Sequence, residues 1–176
     1  MRCMGGGETS WAVIDIDGVL ADVRHRVHHV TSSPKNWDEF FAAAPCDPPL
    51  PQGLARVREL VDSQHRIVYV SGRPERCRAD TVTWLRDNAF PEAPLHLRSD
   101  HDRRPARLTK LAIIRQLERV APVAMIVDDD SAVVATLREA GYTVEHATWM
   151  DGGTNGVDHS PVQEALFEAQ ELDGRT

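Results

Sequence analysis

Trp11-Ala12-Val13-Ile14-Asp15-Ile16-Asp17-Gly18-Val19-Leu20 runs from consecutive apolar residues into two aspartates one residue apart, followed by a glycine. The apolar stretch Trp11 to Ile16 predicts a short buried strand, and the aspartates fall at its carboxyl end. Four more short runs follow: Ile67 to Val70, Leu95 to Leu97, Val123 to Val127 and Thr143 to Ala147. Between them apolar residues recur at helical spacing: Leu54, Val57, Leu60 and Val61; Val82, Leu85 and Ala89; Leu108, Leu111, Ala112 and Ile114; then Val133, Val134 and Leu137, with Gly141 ending that helix. Strands alternating with helices give an open parallel sheet covered on both faces, and right-handed crossovers make it doubly wound. The expected fold class is α/β: one three-layer, Rossmann-like parallel sheet spanning residues 1–176, with a short insertion after the first strand.

That insertion, about 22–51, is rich in His and Pro and breaks the alternation. Asn36 followed by Glu39 resembles a capping box, so a helix is expected over Asn36 to Ala44, with Trp37, Phe40 and Phe41 on its apolar side. An acidic tail, about 151–176, has Ser160-Pro161 opening a last helix through Leu172, with Val162, Ala165, Leu166 and Ala169 on one face.

Composition narrows the function. The chain has 176 residues, enough for one domain burying roughly 70% of its unfolded surface. Apolar residues at 41% and charged residues at 27% exclude wholesale disorder. A net charge of -7 argues against affinity won by blanketing a nucleic-acid backbone. It leaves room for a local basic groove, since Arg98 to Arg119 holds seven basic residues and three acidic ones. The cysteines, Cys3, Cys46 and Cys77, form no C-x-x-C pair and suit a reducing compartment. No secretory leader or membrane-spanning run is evident, so a cytoplasmic protein without a membrane partner is expected. No G-x-x-x-x-G-K-S/T occurs, so no kinase half is expected.

In doubly wound sheets ligands sit beyond the carboxyl ends of the strands, near the point where strand order reverses. Asp15 and Asp17 end the first strand, Ser71 follows the second in Ser71-Gly72-Arg73, and Asp128, Asp129 and Asp130 follow the fourth. Lys110 lies near the start of the helix after the third. So many carboxylates in one cleft would raise one another's pKa unless a cation stood among them. An all-oxygen donor set points to a hard ion, and Mg²⁺ is the natural choice where the substrate brings phosphate. Taken singly, Asp15 or Asp128 could instead cap a turn or helix. His25, His28 and His29 lack a partner cluster at zinc-like spacing, and Trp11, Trp84 and Trp149 read as packing residues.

These residues resemble the motifs of the haloacid-dehalogenase-type phosphohydrolases. Asp15-Ile16-Asp17-Gly18-Val19 is similar to the first motif, Ser71 to the second, Lys110 to the third and Asp128-Asp129 to the fourth. The resemblance implies Asp15 as nucleophile, Asp17 as general acid and base, Ser71 and Lys110 as holders of the phosphoryl oxygens. It also implies Asp15, Asp17, Asp128 and Asp129 around Mg²⁺. That assignment is chemically coherent, because a carboxylate shielded from phosphate repulsion can attack in line and form an aspartyl-phosphate.

A narrower resemblance is to the 3′-phosphatase half of polynucleotide kinase/phosphatase enzymes. It rests on Arg26, on Arg73, on Pro45-Cys46-Asp47, and on Arg98, Asp102, Arg104 and Lys110 in R-x-x-x-D-x-R-x-x-x-x-x-K. It implies Arg26, Gly72, Arg73, Arg98 and Arg104 around the phosphate and adjoining sugar, with Asp102 fixing a guanidinium. The substrate would then be a nucleic-acid 3′-phosphate end or a nucleotide, with kinase or ligase activity left to a separate partner. The short insertion predicts an open cleft that a polymer end can enter. The acidic charge favours the alternative, a small nucleotide or sugar phosphate. A receiver-like phospho-acceptor domain is the alternative from another class, but it needs an acceptor Asp where this chain has Ser71.

Overall fold

The computed structural model describes residues 9–151 and 161–173. Five strands form one parallel sheet: β1 (Trp11–Ile14), β2 (Arg66–Pro74), β3 (Leu95–Arg98), β4 (Val123–Asp128) and β5 (Val144–His146), in the order β3-β2-β1-β4-β5. The helices are α1 (His28–Thr31), α2 (Trp37–Ala42), α3 (Pro51–Asp62), α4 (Arg78–Asp87), α5 (Ala106–Glu118), α6 (Ser131–Glu139) and α7 (Pro161–Asp173). This is the three-layer doubly wound α/β fold that the sequence predicts. Because the chain builds outward from β1 to β3 and then returns to β4, the order reverses between β1 and β4. The crevice beyond these two strands is where such sheets hold ligands.

Strand pleat splits the apolar runs between two faces. Ala12 and Ile14 on β1 and Ile67 and Tyr69 on β2 pack with Val57, Leu60, Trp84 and Leu85 of α3 and α4. Trp11 and Val13, with Val68 and Val70, face Ile114 and Leu117 of α5 and Val133, Val134 and Leu137 of α6. A third apolar cluster joins the inserted segment to the last helix: Val23, Val27, Trp37, Phe40, Phe41 and Leu50 pack with Leu166 and Ala169.

Several boundaries differ from the sequence reading. β1 stops at Ile14 because the Ile16 carbonyl accepts from the amides of Val19, Leu20 and Ala21, closing a tight turn. Gly18 sits in that turn at φ +78, and a Cβ there would meet Asp129 Oδ2 at 1.8 Å, so both backbone and space demand glycine. β2 runs on to Pro74, carrying Ser71 to Arg73 within the strand. The capping box forms by half: Asn36 Oδ1 accepts from the Glu39 amide, while the Asn36 amide donates to the His29 carbonyl instead. Helix faces also rotate from the expected ones. Val61, Val82 and Leu108 are exposed, whereas Thr81, Trp84, Thr109 and Lys110 are buried.

Candidate active site

Three strand ends and one helix build the site. Asp15 follows β1, its amide tied to the Val127 carbonyl of β4 at 3.0 Å, which sets it beside Asp128 at the end of β4. Carboxylate oxygens of Asp15, Asp128 and Asp129 lie within 4.8 Å of one another, all three residues being buried. Lys110 reaches them from the first half of α5, its Nζ donating to Asp15 Oδ2 at 2.8 Å and to Asp128 Oδ2 at 2.6 Å. The need to point this ammonium at the sheet's end explains the rotation of α5, which leaves Leu108 outside and turns Thr109 and Lys110 inward. Asp130 has a different task. Its Oδ1 accepts from the amides of Ala132 and Val133, capping α6.

One ammonium does not balance three buried carboxylates. Burial first, and then the Asp128 charge against the opposing pull of Lys110, pushes Asp15 up to about 7. Burial likewise raises Asp128 and Asp129, with Asp15 and Asp128 adding to the rise at Asp129. Burial alone would discharge Lys110, but Asp128 and Asp15 outweigh it and hold the ammonium charged beyond its ordinary range. A buried, all-oxygen donor set with excess negative charge fits a hard divalent cation such as Mg²⁺, and Asp15, Asp128 and Asp129 are the residues placed to hold it.

Asp17 stands outside this group and belongs to a second buried network. Its Oδ1 accepts from Arg26 Nη2 at 2.7 Å and from Arg73 Nε and Nη2 at 2.9 and 2.6 Å. Both guanidinium groups also grip Asp47: Arg26 through Nε and Nη2, each at 2.7 Å, and Arg73 through Nη2 at 2.8 Å. Arg26 stacks over the Phe40 ring at 4.2 Å, and His25 Nε2 lies 2.8 Å from Asp47 Oδ1. Burial would raise Asp17, but Arg26 and then Arg73 prevail and lower it to about 2.

The cavity between these networks is lined by Asp15, Asp17, Ser71, Gly72, Lys110, Asp129 and Asp130, and on its far side by Val23, Leu166, Phe167 and Gln170. It measures about 20 Å³, room for little more than a water molecule. Instead of the expected open cleft, the inserted segment and α7 roof the strand ends. Ser71 is buried, and its Oγ accepts from the Arg73 amide at 3.2 Å.

Of the residues expected against substrate, Gly72 lines the cavity, whereas Arg26 and Arg73 lie behind Asp17 with exposures of 0% and 1%. Arg98 braces the loop before α5, its Nη1 donating to the Arg104 carbonyl at 2.7 Å and the Asp102 carbonyl at 3.3 Å. Asp102 does hold a guanidinium, that of Arg104, through Nε and Nη2, and the pair keeps the Asp102 carboxyl below its usual range. These three do not line the cavity. Two contributors escaped the sequence reading. Asp47 was noticed without a role, its only sign being the Pro45-Cys46-Asp47 stretch. Gln170 lies beside the apolar face of α7, where nothing in the pattern marks it.

Fold and site have the arrangement that the resemblance to haloacid-dehalogenase-type phosphohydrolases implies. The family model of the polynucleotide kinase phosphatase domain matches residues 9–148, and the chain belongs to that family. Among solved structures, a chain of the Pnkp1/Rnl/Hen1 RNA repair complex is similar over 82% of this chain, with 19% identity and a TM-score of 0.66. This chain spans 44% of that one. A class C acid phosphatase from Bacillus anthracis with tungstate bound shares the fold over 93% of this chain and 80% of its own, at 13% identity and a TM-score of 0.55. So does a haloacid dehalogenase-like hydrolase from Streptococcus pneumoniae, over 92% and 91%, at 14% identity and a TM-score of 0.54. No curated protein sequence matches. Among the described residues no helix is long and apolar enough to cross a membrane.

Proposed function

We propose that this enzyme is a Mg²⁺-dependent phosphomonoesterase acting through an aspartyl-phosphate on Asp15, with a nucleic-acid 3′-phosphate end or a nucleotide as substrate. The observation that carries the reading is Lys110 bridging Asp15 and Asp128, with Asp129 close by, around a cavity that Ser71 and Gly72 also line. Mg²⁺, when bound, supplies charge neutralisation that lets Asp15 ionise and lets a dianionic phosphate approach it.

The chain's own residues do the rest. Asp15 attacks phosphorus and the ester bond to the leaving oxygen breaks, while Ser71 and Lys110 stabilise charge spreading over the equatorial oxygens. Held ionised by Arg26 and Arg73, Asp17 is a base in this arrangement, suited to deprotonating the water that hydrolyses the acyl phosphate. Its acid role, protonating the leaving oxygen, requires the group to turn from the arginines towards the cavity it lines and to take up a proton from water there before the ester bond breaks. Arg26 and Arg73 thereby act through Asp17.

The family match supports the nucleic-acid reading, and the complex containing Pnkp1, Rnl and Hen1 supports a separate ligase or kinase partner. The acidic net charge of -7 favours the second reading, a mononucleotide or sugar phosphate. Turnover of a 3′-phosphorylated oligonucleotide and of mononucleotides, each with Mg²⁺ and with EDTA, separates the two. Activity that survives EDTA refutes the metal requirement, equal or better turnover of mononucleotides refutes the polymer reading, and single rather than multiple turnover of p-nitrophenyl phosphate refutes hydrolysis.

A further inference from the structure

The candidate catalytic residues are complete without α7, yet α7 closes over them. Asp15, Asp17, Ser71, Lys110, Asp128 and Asp129 all lie within residues 9–148, the span that the family model matches, whereas α7 begins at Pro161. Lys110 already bridges Asp15 and Asp128, so the floor of the site is assembled. What a phosphate lacks is room. Leu166, Phe167 and Gln170 of α7 line a cavity of about 20 Å³, and a phosphate group with its ester oxygen is several times larger than the water such a space admits. Any phosphomonoester that reaches Asp15 must first part the roof from the floor.

Two pieces make that roof, and they are fastened differently. The inserted segment, which contributes Val23, is tied down by its backbone: the Leu50 amide donates to the Leu20 carbonyl at 2.7 Å and the Asp22 amide to the Pro48 carbonyl at 2.8 Å. Its Arg26 is locked between Asp17 and Asp47 with no exposure. α7 is held through side chains. Among the described residues no backbone hydrogen bond joins it to another element. Leu166 and Ala169 are seated in the apolar cluster with Val27 and Phe40, and Glu171 accepts from Arg107 Nε of α5 at 3.0 Å in an ion pair partly exposed on both sides. A pair so placed adds little. Once unseated, a 13-residue helix is marginal in water, so undocking and fraying go together. α7 is the piece that gives way.

We propose that α7 is an autoinhibitory lid: docked, it denies phosphate the space above Asp15, and substrate enters only those molecules in which Leu166 and Ala169 have left their seat. This rests on the phosphatase reading above. Because the lid excludes the phosphoryl group itself, it raises KM for every monoester by one factor, the reciprocal of the open fraction, and leaves kcat alone.

The test opens the lid in two ways in the full chain. Leu166→Asn puts an unpaired carboxamide into the apolar seat, and Arg107→Glu sets two carboxylates against each other at the latch. With Mg²⁺, Leu166→Asn lowers KM at least about tenfold for p-nitrophenyl phosphate and for a deoxynucleoside 3′-phosphate alike, with kcat within about twofold. Arg107→Glu lowers KM about threefold although it removes a positive charge from near an anion, and adding Glu171→Arg, which rebuilds the pair in reverse, returns KM to the wild-type value. Calorimetry with inorganic phosphate and Mg²⁺ shows the same gains in affinity without turnover. Bound phosphate holds the lid away, so amide hydrogen exchange over residues 161–173 of the wild type speeds up when phosphate and Mg²⁺ are added. If Leu166→Asn does not fold, Arg107→Glu with its reversal and the exchange measurement decide. Unchanged or weakened KM and phosphate affinity in the folded variants, or exchange over 161–173 that slows with phosphate, overturns the lid. Absence of turnover on every monoester by wild type and variants overturns the phosphatase reading instead, and the phosphate titration and exchange still read the lid.

Discussion

Asp15 and Asp17 are separated by one residue, yet their surroundings drive them in opposite directions, Asp15 up to about 7 and Asp17 down to about 2. Both are desolvated by burial. The difference is in the partners. Asp15 shares one ammonium with Asp128 and has Asp129 nearby, so negative charge is in excess. Asp17 shares two guanidinium groups with Asp47, so that network is balanced. A site kept short of positive charge can receive a cation, whereas a balanced one keeps its carboxylate ionised for as long as the arginines hold it. The comparison also separates stability from function, because the unbalanced network is costly until something binds.

Replacing the unbalanced carboxylate breaks the comparison most severely. Asp15→Asn lowers turnover by about three orders of magnitude or more, measured as release of phosphate under saturating Mg²⁺. The same change relieves repulsion. A carboxyl whose folded pKa is raised contributes stability below its unfolded value that is lost as pH rises towards about 7. Metal-free Asp15→Asn therefore melts higher than metal-free wild type at pH 8, and the two converge near pH 4. A wild type that melts higher at pH 8 contradicts the charge imbalance.

In the balanced network, Asp47→Ala leaves two buried guanidinium groups with Asp17 alone, and costs about 3–5 kcal/mol in urea unfolding. A cost under about 1 kcal/mol shows that Asp47 is dispensable. Next in size is the response to metal. Because a carboxylate must be ionised to bind a cation, Mg²⁺ raises the melting temperature more at pH 8 than at pH 5, and EDTA reverses the gain.

Smaller still is acid sensitivity. The lowered Asp17 pKa contributes stability above about pH 4 that disappears as pH falls through about 2, so Asp17→Asn flattens the acid limb of the stability profile. An unchanged limb means that Asp17 does not feel the arginines. Last, Arg104→Ala shifts unfolding free energy by about 0.5 kcal/mol or less, since its pair with Asp102 is on the surface. A loss above about 2 kcal/mol makes Arg104 a structural brace.

Much of the architecture was readable because it depends on local pattern. Consecutive apolar residues in β1 and β2 announce strands wet on neither face, and Gly141, at φ +93 just past α6, ends that helix as a glycine should. Apolar spacing was a poorer guide to helix faces. Val82 and Leu108 fit the period but stay exposed, because Trp84 and the Lys110 ammonium take the inward positions. The four motif positions were legible as types of residue at strand ends. Their pairings were not: Lys110 meets Asp15 across 95 residues, and Arg73 meets Asp17 across 56.

The sequence by itself determined a parallel sheet with carboxylates, a serine and a lysine at its carboxyl edge, since strand periodicity and the strand-end position of each residue are properties of short stretches. Only the tertiary structure decided which carboxylates crowd around one ammonium, which one the buried arginines hold, and that α7 closes over the strand ends. Those outcomes depend on burial and on partners brought together from distant parts of the chain, and electrostatic energy in a low-dielectric interior is decided by such neighbours and not by order along the backbone.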